Sequence, residues 1–342
     1  MTMTVHEIAE LAGVSIGTVD RVLHKRGRVS AETRAKVEKI IKQYHFTPNP
    51  IARQLKLNRS CRFCALIPRR DQDAGYWGQI IAGIEQAAGE IGALGVETEI
   101  IEFDRYHPED FERVFDSIYA EKPDGLLFAP IMPKRTRPFV ERLCKEKIPF
   151  VFVDTDIPGT RPLCVIGQNP FKGGYLAGRL FHLFAGDVSE PVAVLDAHGD
   201  DYHITRRRDG FLSYARKHNF PVIVQDYSDY EGTEISAKEI ARFLMKHRRL
   251  SGLFITNCMA HRVVKAASGQ KGNPFLLIGY DLIPNNRRLL LQGRIDAIIS
   301  QRPEVQGREA LLILYRSVVV GQAVEPRLEI PLDVYIRENT LP

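Results

Sequence analysis

The chain has 342 residues, of which 44% are hydrophobic and 26% charged, enough to bury a core in two or three domains and too apolar for a disordered chain. Its net charge of +5 is unevenly spread: residues 1–60 hold 11 Lys+Arg against 5 Asp+Glu, a net of +6, so the remaining residues come to −1. No window approaches ~18 consecutive apolar residues and the opening MTMTVHEIAE lacks an apolar signal core, which argues against membrane insertion and secretion and points to the cytoplasm.

The first sixth of the chain predicts three short helices. Thr4 and Glu7 form a capping-box pair for a helix that runs to Ala12. Gly13 suits the turn that follows, and Ser15 can cap a second helix over 15–24. Ile8, Leu11, Val14, Val19, Val22 and Leu23 fall at helical spacing and are the expected core, while Ile16, Gly17, Thr18 and Arg21 face out. Two short helices about a Gly-containing turn, the second exposing polar groups near its start, make a geometry that places side chains in a DNA major groove. The concentrated positive charge is the footprint expected of phosphate neutralisation. A third helix spans 30–44 from a Ser30 cap, with Val37, Ile40, Ile41 and Tyr44 on one face, and Pro48 and Pro50 stop it. Residues 51–56, IARQLK, can form a helix but are too few to hold one alone in water.

The segments VHEIAELAGVSIGTVDRVL, RVSAETRAKVEKIIKQYHFTPN and PIARQL resemble, in order and spacing, the DNA-binding head and hinge of the lac repressor family. That resemblance implies a homodimeric, ligand-controlled regulator, with the segment around Leu55 pairing with its dimer mate in the minor groove and Leu55 wedging into the central base step. The candidate DNA contacts are Thr4, Ser15, Ile16, Gly17, Thr18, Arg21, His24, Ser30, Asn49, Ala52, Arg53 and Leu55. Asp20 and His24 depart from the Ser and Asn usual in the family, so individual base contacts do not carry over.

Past the head come five scattered cysteines: Cys61, Cys64, Cys144, Cys164 and Cys258. One C-x-x-C without a second pair or a nearby His does not complete a metal site, and no metal or cofactor is expected. From residue 62 short apolar runs alternate with amphipathic stretches. Strands are expected at 63–68, 96–103, 125–131, 149–156 and 163–167, with helices at 76–94 and 108–121. A second unit has helices at 171–184, 208–219 and 233–246 and strands at 191–199, 221–227, 252–257 and 275–281. A strand near 297–300, a helix near 304–320 and a last strand, LDVYIREN, end the chain. Such alternation predicts doubly wound α/β units with ligands bound at strand C-terminal ends.

The succession resembles the type I periplasmic-binding-protein fold, in which the chain crosses three times between lobes. The expected fold class is thus an α helix-turn-helix head plus an α/β two-lobed domain with two doubly wound parallel sheets. The head takes 1–48 and the hinge 49–60. The effector domain takes 61–342, with an N-lobe of 61–167 and 299–325 and a C-lobe of 168–298 and 326–342.

Strand ends supply Arg69, Asp154, Arg207, Asn257, Asp281 and Gln301, with Tyr76 and Trp77 beside the first strand. Paired donors and acceptors with an aromatic face are the chemistry of carbohydrate recognition. In sugar-binding relatives an Arg three residues before a Gly, an Asn, an Asp after GY and a Gln on the returning strand bind ligand. The resemblance carries these roles to Arg207, Asn257, Asp281 and Gln301. Cys258 stands where Asp is frequent. The cations Arg69, Arg70, Arg207 and Arg302 near strand ends make an acidic or phosphorylated sugar as good a candidate as a neutral one.

No G-x-S-x-G, H-E-x-x-H or Walker loop is present, so an enzyme is not expected. The leading expectation is a DNA-binding transcriptional regulator, a repressor by type, acting on a pseudo-palindromic operator under a sugar-like effector. The alternative is a cytoplasmic sugar-binding module whose head joins a protein partner; DNA binding that falls steeply with salt separates the two.

Overall fold

The computed structural model describes residues 3–23, 27, 29–44, 46, 60–186, 188–196, 201–226, 237–267 and 275–341. It divides into two compact units, Met1–Asn58 and Arg59–Pro342. In the first, α1 (Val5–Ala12), α2 (Ile16–Leu23) and α3 (Ala31–Gln43) close a core of Ile8, Ala9, Ala12, Val19, Val22 and Val37. Gly13 ends α1 in the left-handed conformation, at φ 63°. Leu11 was expected in this core and is instead half exposed, because Ile8 and Ala12 already take the inward positions of α1. Tyr44 is likewise exposed, past the last turn of α3.

The larger unit begins with β1 (Cys61–Pro68), α4 (Tyr76–Gly92), β2 (Val96–Phe103), α5 (Pro108–Ala120), β3 (Gly125–Phe128), α6 (Pro133–Glu146), β4 (Phe150–Val153) and β5 (Cys164–Gly167). Crossing to the second lobe, it continues through α7 (Pro170–Ala185), β6 (Val192–Asp196), α8 (Tyr202–His218), β7 (Val222–Asp226), α9 (Ala237–Lys246) and β8 (Gly252–Ile255). There follow α10 (Ala260–Ala266), β9 (Leu276–Tyr280), α11 (Pro284–Leu291), β10 (Ala297–Ser300), α12 (Pro303–Tyr315), β11 (Arg327–Glu329), β12 (Asp333–Tyr335) and α13 (Arg337–Thr340). Five of these helices open on a proline, whose missing N–H would have no partner in a first turn.

One sheet has the order β11-β5-β4-β3-β1-β2 and the other β12-β10-β9-β8-β6-β7. Among the described residues every pairing is parallel except β10 with β12. Strands such as β3, β4 and β8 are buried along their whole length, as sheets covered on both faces require.

The expected lobe boundaries need two corrections. β10 lies wholly in the second sheet, so 299–300 belong to the C-lobe. β11 pairs with β5, so the N-lobe extends past 326. The crossings therefore fall after β5, β10 and β11. The expected terminal strand LDVYIREN is extended only at Asp333–Tyr335; Asn339 Oδ1 accepts from Ile336 N at 2.8 Å and turns the rest into helix. Helix 304–320 is α-helical to Tyr315 and widens into a π turn over Arg316–Val320.

Candidate functional site

In the head, the Thr4 and Glu7 capping box is formed, with Thr4 N donating to Glu7 Oε2 at 2.6 Å and Glu7 N to Thr4 Oγ1 at 3.3 Å. The bond from Thr4 N, with a second from Thr4 Oγ1 to Glu7 Oε2 at 2.9 Å, holds the Glu7 carboxyl below its ordinary pKa. Ser15 accepts from Thr18 N at 3.2 Å and Ser30 from Thr33 N at 3.2 Å, so each hydroxyl starts a helix as expected. Ser15, Ile16, Gly17 and Arg21 are exposed and Thr18 half-buried, while Val19 and Val22 anchor the opposite face of α2. Ile16 is thus a large apolar side chain left in solvent at the start of α2. His24, Asn49, Ala52, Arg53 and Leu55 lie outside the described residues.

In the larger unit, six of the seven expected effector residues line one cavity: Trp77, Asp154, Arg207, Asn257, Asp281 and Gln301. The backbone explains the convergence. Asp154 follows β4 and Asp281 follows β9, in opposite lobes, and both adopt left-handed φ, 73° and 65°. Each donates its N–H to the neighbouring strand, Asp154 to Ile166 O at 2.9 Å and Asp281 to Ile299 O at 2.9 Å. A short side chain that tolerates this conformation is thereby aimed from each strand end into the cleft.

Arg207 reaches the cavity because α8 begins at Tyr202, six residues before the expected start. Gly174 and Gly210 let α7 and α8 touch: a methyl on Gly174 would overlap the Arg207 carbonyl, and one on Gly210 the Phe171 carbonyl. The guanidinium is 1% exposed and lies 3.8 Å from the Tyr280 ring centroid. It donates to Thr256 O at 2.8 Å and Gln301 Oε1 at 3.1 Å. The Gln168 amide, oriented oxygen-inward, accepts from it at 2.8 and 3.0 Å. Gln301 Nε2 in turn donates to Asp281 Oδ1 at 3.1 Å. Asp154 Oδ1 accepts from Tyr76 OH at 2.5 Å. One oxygen of each carboxylate is thus held by protein, which leaves the other to a ligand donor.

Two buried amides keep this backbone in place, and neither was singled out from the sequence. Asn286 donates to the carbonyls of Cys258, Tyr280 and Asp281 at 2.9, 3.1 and 3.0 Å. Gln306 accepts from Asp154 N at 3.1 Å and donates to Gln301 O at 2.8 Å. Both are amides on helix interiors whose importance appears only once distant loops are neighbours.

Burial, with no water to solvate the charge, pushes the Asp281 carboxyl up to about 7, with Arg207 opposing and Asp154 adding to the shift. Asp154 is raised by the same burial, partly offset by the Tyr76 hydrogen bond. The cavity wall holds four carboxylates, Asp73, Asp154, Asp201 and Asp281, against the guanidiniums of Arg105 and Arg207. Asp73 opens a single 3-10 turn, Asp73–Gly75, and Arg105 sits in the loop after β2, so neither has a periodicity in the sequence to mark it. Trp77 is buried, its Nε1 donating to Asp73 Oδ2 at 2.7 Å.

Arg69, expected among the effector residues, lies outside the cavity. Its side chain is half exposed and pairs with Asp104 at 3.1 Å. Arg70 pairs with Glu102 and Glu85, and Arg302 makes a two-armed pair with Asp333 at 2.7 Å. Three of the four cations that favoured an acidic ligand are therefore already matched at the surface. A wider groove of about 790 Å³ runs between α4 and α11, but its charged residues Arg287, Arg288 and Glu304 are exposed, and Arg287 donates to the Thr340 carbonyl at 3.2 Å.

A helix-turn-helix head on one unit and two sheets meeting at a polar cleft on the other define a DNA-binding protein with a small-molecule domain. The family model for bacterial regulatory proteins of the lacI family matches residues 4–49, and that for a periplasmic binding protein domain matches residues 64–322. The chain belongs to the lacI family of DNA-binding transcriptional regulators, with a periplasmic-binding-protein domain as its larger unit. It is 25% identical to the HTH-type transcriptional regulator DegA of Bacillus subtilis (strain 168), covering 100% of this chain and 99% of that protein. It is 27% identical to the HTH-type transcriptional repressor PurR of Photorhabdus laumondii, covering 95% and 99%. Among solved structures, GanP, a glucose-galactose binding protein from Geobacillus stearothermophilus, superposes with a TM-score of 0.74 at 23% identity, over 82% of this chain and 99% of that one. A solute binding protein from Agrobacterium vitis bound with alpha-D-tagatopyranose gives 0.71 at 23%, over 82% and 96%.

Proposed function

We propose that this regulator is a homodimeric cytoplasmic repressor whose effector is a small uncharged polyhydroxyl compound, a monosaccharide by class, bound between the lobes. The observation that carries the effector is the pairing of Asp154 and Asp281 from opposite lobes around Arg207, Asn257 and Gln301. Carboxylates that each keep one oxygen for a ligand accept from vicinal hydroxyls, and Trp77 and Tyr76 supply apolar ring surface. The sugar-binding structural neighbours point the same way.

Charge argues against an acidic ligand. Arg207 already serves three neutral acceptors, and an anion would enter a wall with four aspartates and two arginines. The dimer follows from the hinge resemblance, and is supported by β2 and β7 ending their sheets, with Val224 of β7 and Met245 of α9 exposed. Two heads then read two half-sites of a pseudo-palindromic operator, with Ser15, Ile16, Gly17, Thr18 and Arg21 toward the major groove. No catalytic role is assigned to any residue.

A thermal-shift screen tests the effector: an aldose or ketose at ~100 times its dissociation constant adds about 2.7 kcal/mol of stability. Sugar acids and sugar phosphates are expected to give none. Binding of an anionic sugar in preference to its neutral parent would reject the reading.

A further inference from the structure

The cavity between the lobes measures about 30 Å³, far below the ~300 Å³ at the small end of ligand pockets. A sugar ring enters only if the lobes separate. Arg105, in the loop after β2, is the N-lobe cation of the cavity wall, and its guanidinium spans that gap. Nη1 donates to Asp73 Oδ2 in its own lobe, and Nη2 lies 3.4 Å from Asp201 Oδ2 in the other. The three side chains are only 9%, 7% and 7% exposed.

We propose that Arg105 is an interlobe latch, bridging Asp73 and Asp201 so that the cleft rests closed, and that an effector enters by parting Arg105 from Asp201. Two asymmetries support this. Asp73 is fixed within the N-lobe by Trp77 Nε1 at 2.7 Å and Tyr106 OH at 3.0 Å, so the Arg105 to Asp73 half persists when the lobes move. Asp201 precedes α8, the helix that carries Arg207, so releasing it into water frees the wall that holds a main effector residue. Parting the lobes leaves no buried charge unpaired on the N-lobe side, which makes the contact reversible. A second contact crosses at the same place, Cys258 Sγ to Asp73 O at 3.3 Å. The latch regulates the effector site proposed above and rests on that reading for its consequence, but the pairing is testable with no effector at all.

Cys258 provides the probe. It lies in the cavity wall, 4% exposed, and burial holds its thiol well above the ordinary pKa, so it reacts slowly while the cleft is closed. The experiment labels the full-length protein, without sugar, with a maleimide and follows each cysteine by peptide mass spectrometry. Asp201→Asn keeps the size of the side chain and removes its negative charge, and the backbone carbonyl of residue 201 that accepts from Ile204 and Thr205 N is untouched. Cys258 is expected to label about tenfold faster in this variant, the size of a change of about 1.4 kcal/mol in the opening equilibrium, with Cys64 and Cys164 in β1 and β5 unchanged. An unchanged Cys258 rate overturns the latch. Should Asp201→Asn speed all three buried cysteines, Arg105→Lys decides, since it keeps a cation beside Asp73 but loses the second arm. Selective acceleration of Cys258 there supports the proposal and its absence overturns it. A chain that responds to no sugar but shows the selective labelling would reject the effector reading alone.

Discussion

Asp281→Asn separates stability from binding, and its sign can be worked from the site. The carboxyl titrates near 7 in the folded chain against 3.8 in the unfolded one, so between these values the folded state holds the extra proton. Stability therefore falls as pH rises from about 4 to about 7, and the whole penalty is present above the folded value. At about 1.36 kcal/mol per pH unit the ceiling is about 4 kcal/mol; opening of the cleft, which returns the carboxylate to water, reduces it to about 1–3 kcal/mol. Asparagine keeps an oxygen for Gln301 Nε2 and carries no charge, so the variant is expected to be more stable than the parent at pH 8 and nearly equal to it at pH 4.5. Urea unfolding of both proteins across this range reads the difference directly, because titrations common to both cancel. The same variant is expected to lose effector binding, an anionic acceptor having become a weaker one. A stability difference independent of pH would refute the claim that Asp281 is buried as a strained carboxylate.

Arg207→Met leaves the Thr256 carbonyl and the Gln168 and Gln301 amides without their donor and Asp281 without its cation, so a loss of about 3–5 kcal/mol in chemical denaturation is expected along with loss of effector response. Asn286→Ala frees three buried carbonyls at once and is expected to cost about 2–4 kcal/mol; an effect within 0.5 kcal/mol would show that the loops after β8 and β9 hold their shape without it. Arg21→Ala is expected to weaken binding to a selected operator more than to random DNA in gel-shift titrations. Equal losses on both would make Arg21 a phosphate contact, lowering the salt slope by about 1.

Much of the fold was readable because local signals and global pattern agreed. The Thr4, Ser15 and Ser30 caps, Gly13 and the apolar strand runs announce themselves within a few residues. What the sequence conceals is structure whose local signal conflicts with its state. Helix α6 has the stretch PKRTRP and Pro138 inside it, with only Thr136, Val140 and Leu143 buried, so neither propensity nor stripe marks it. Strand β11, RLE, is three residues at a sheet edge and carries no apolar run. The start of α8 was misplaced because three successive arginines look like a solvated face, whereas Arg207 among them is fully buried. For the cleft, residues that end strands were legible since topology alone aims them inward. Arg69 also ends a strand, but Asp104 at the end of the adjacent β2 captures it, a pairing that only register reveals.

The two lobes repeat one device, and that repetition bears on how the site discriminates. Each lobe ends an inner strand, β4 or β9, in a left-handed aspartate tied to its neighbouring strand, and closure brings Asp154 and Asp281 to face each other across the cleft. Two carboxylates held together at low solvation are costly; Arg207 and the Tyr76 hydroxyl offset part of that cost, and a ligand that presents donors to both at once relieves more of it. A monohydroxyl compound relieves one side; a ring with hydroxyls on opposite edges relieves both. The stability that an effector adds to the closed cleft is therefore set by the number and spacing of its donors rather than by apolar bulk, since the cavity offers little apolar wall beyond Tyr76, Trp77 and Ile204. Polyols lacking the ring, such as glycerol, are accordingly expected to stabilise the protein far less than an aldopyranose at equal concentration, and comparable shifts for the two would mean that the paired aspartates do not read donor spacing.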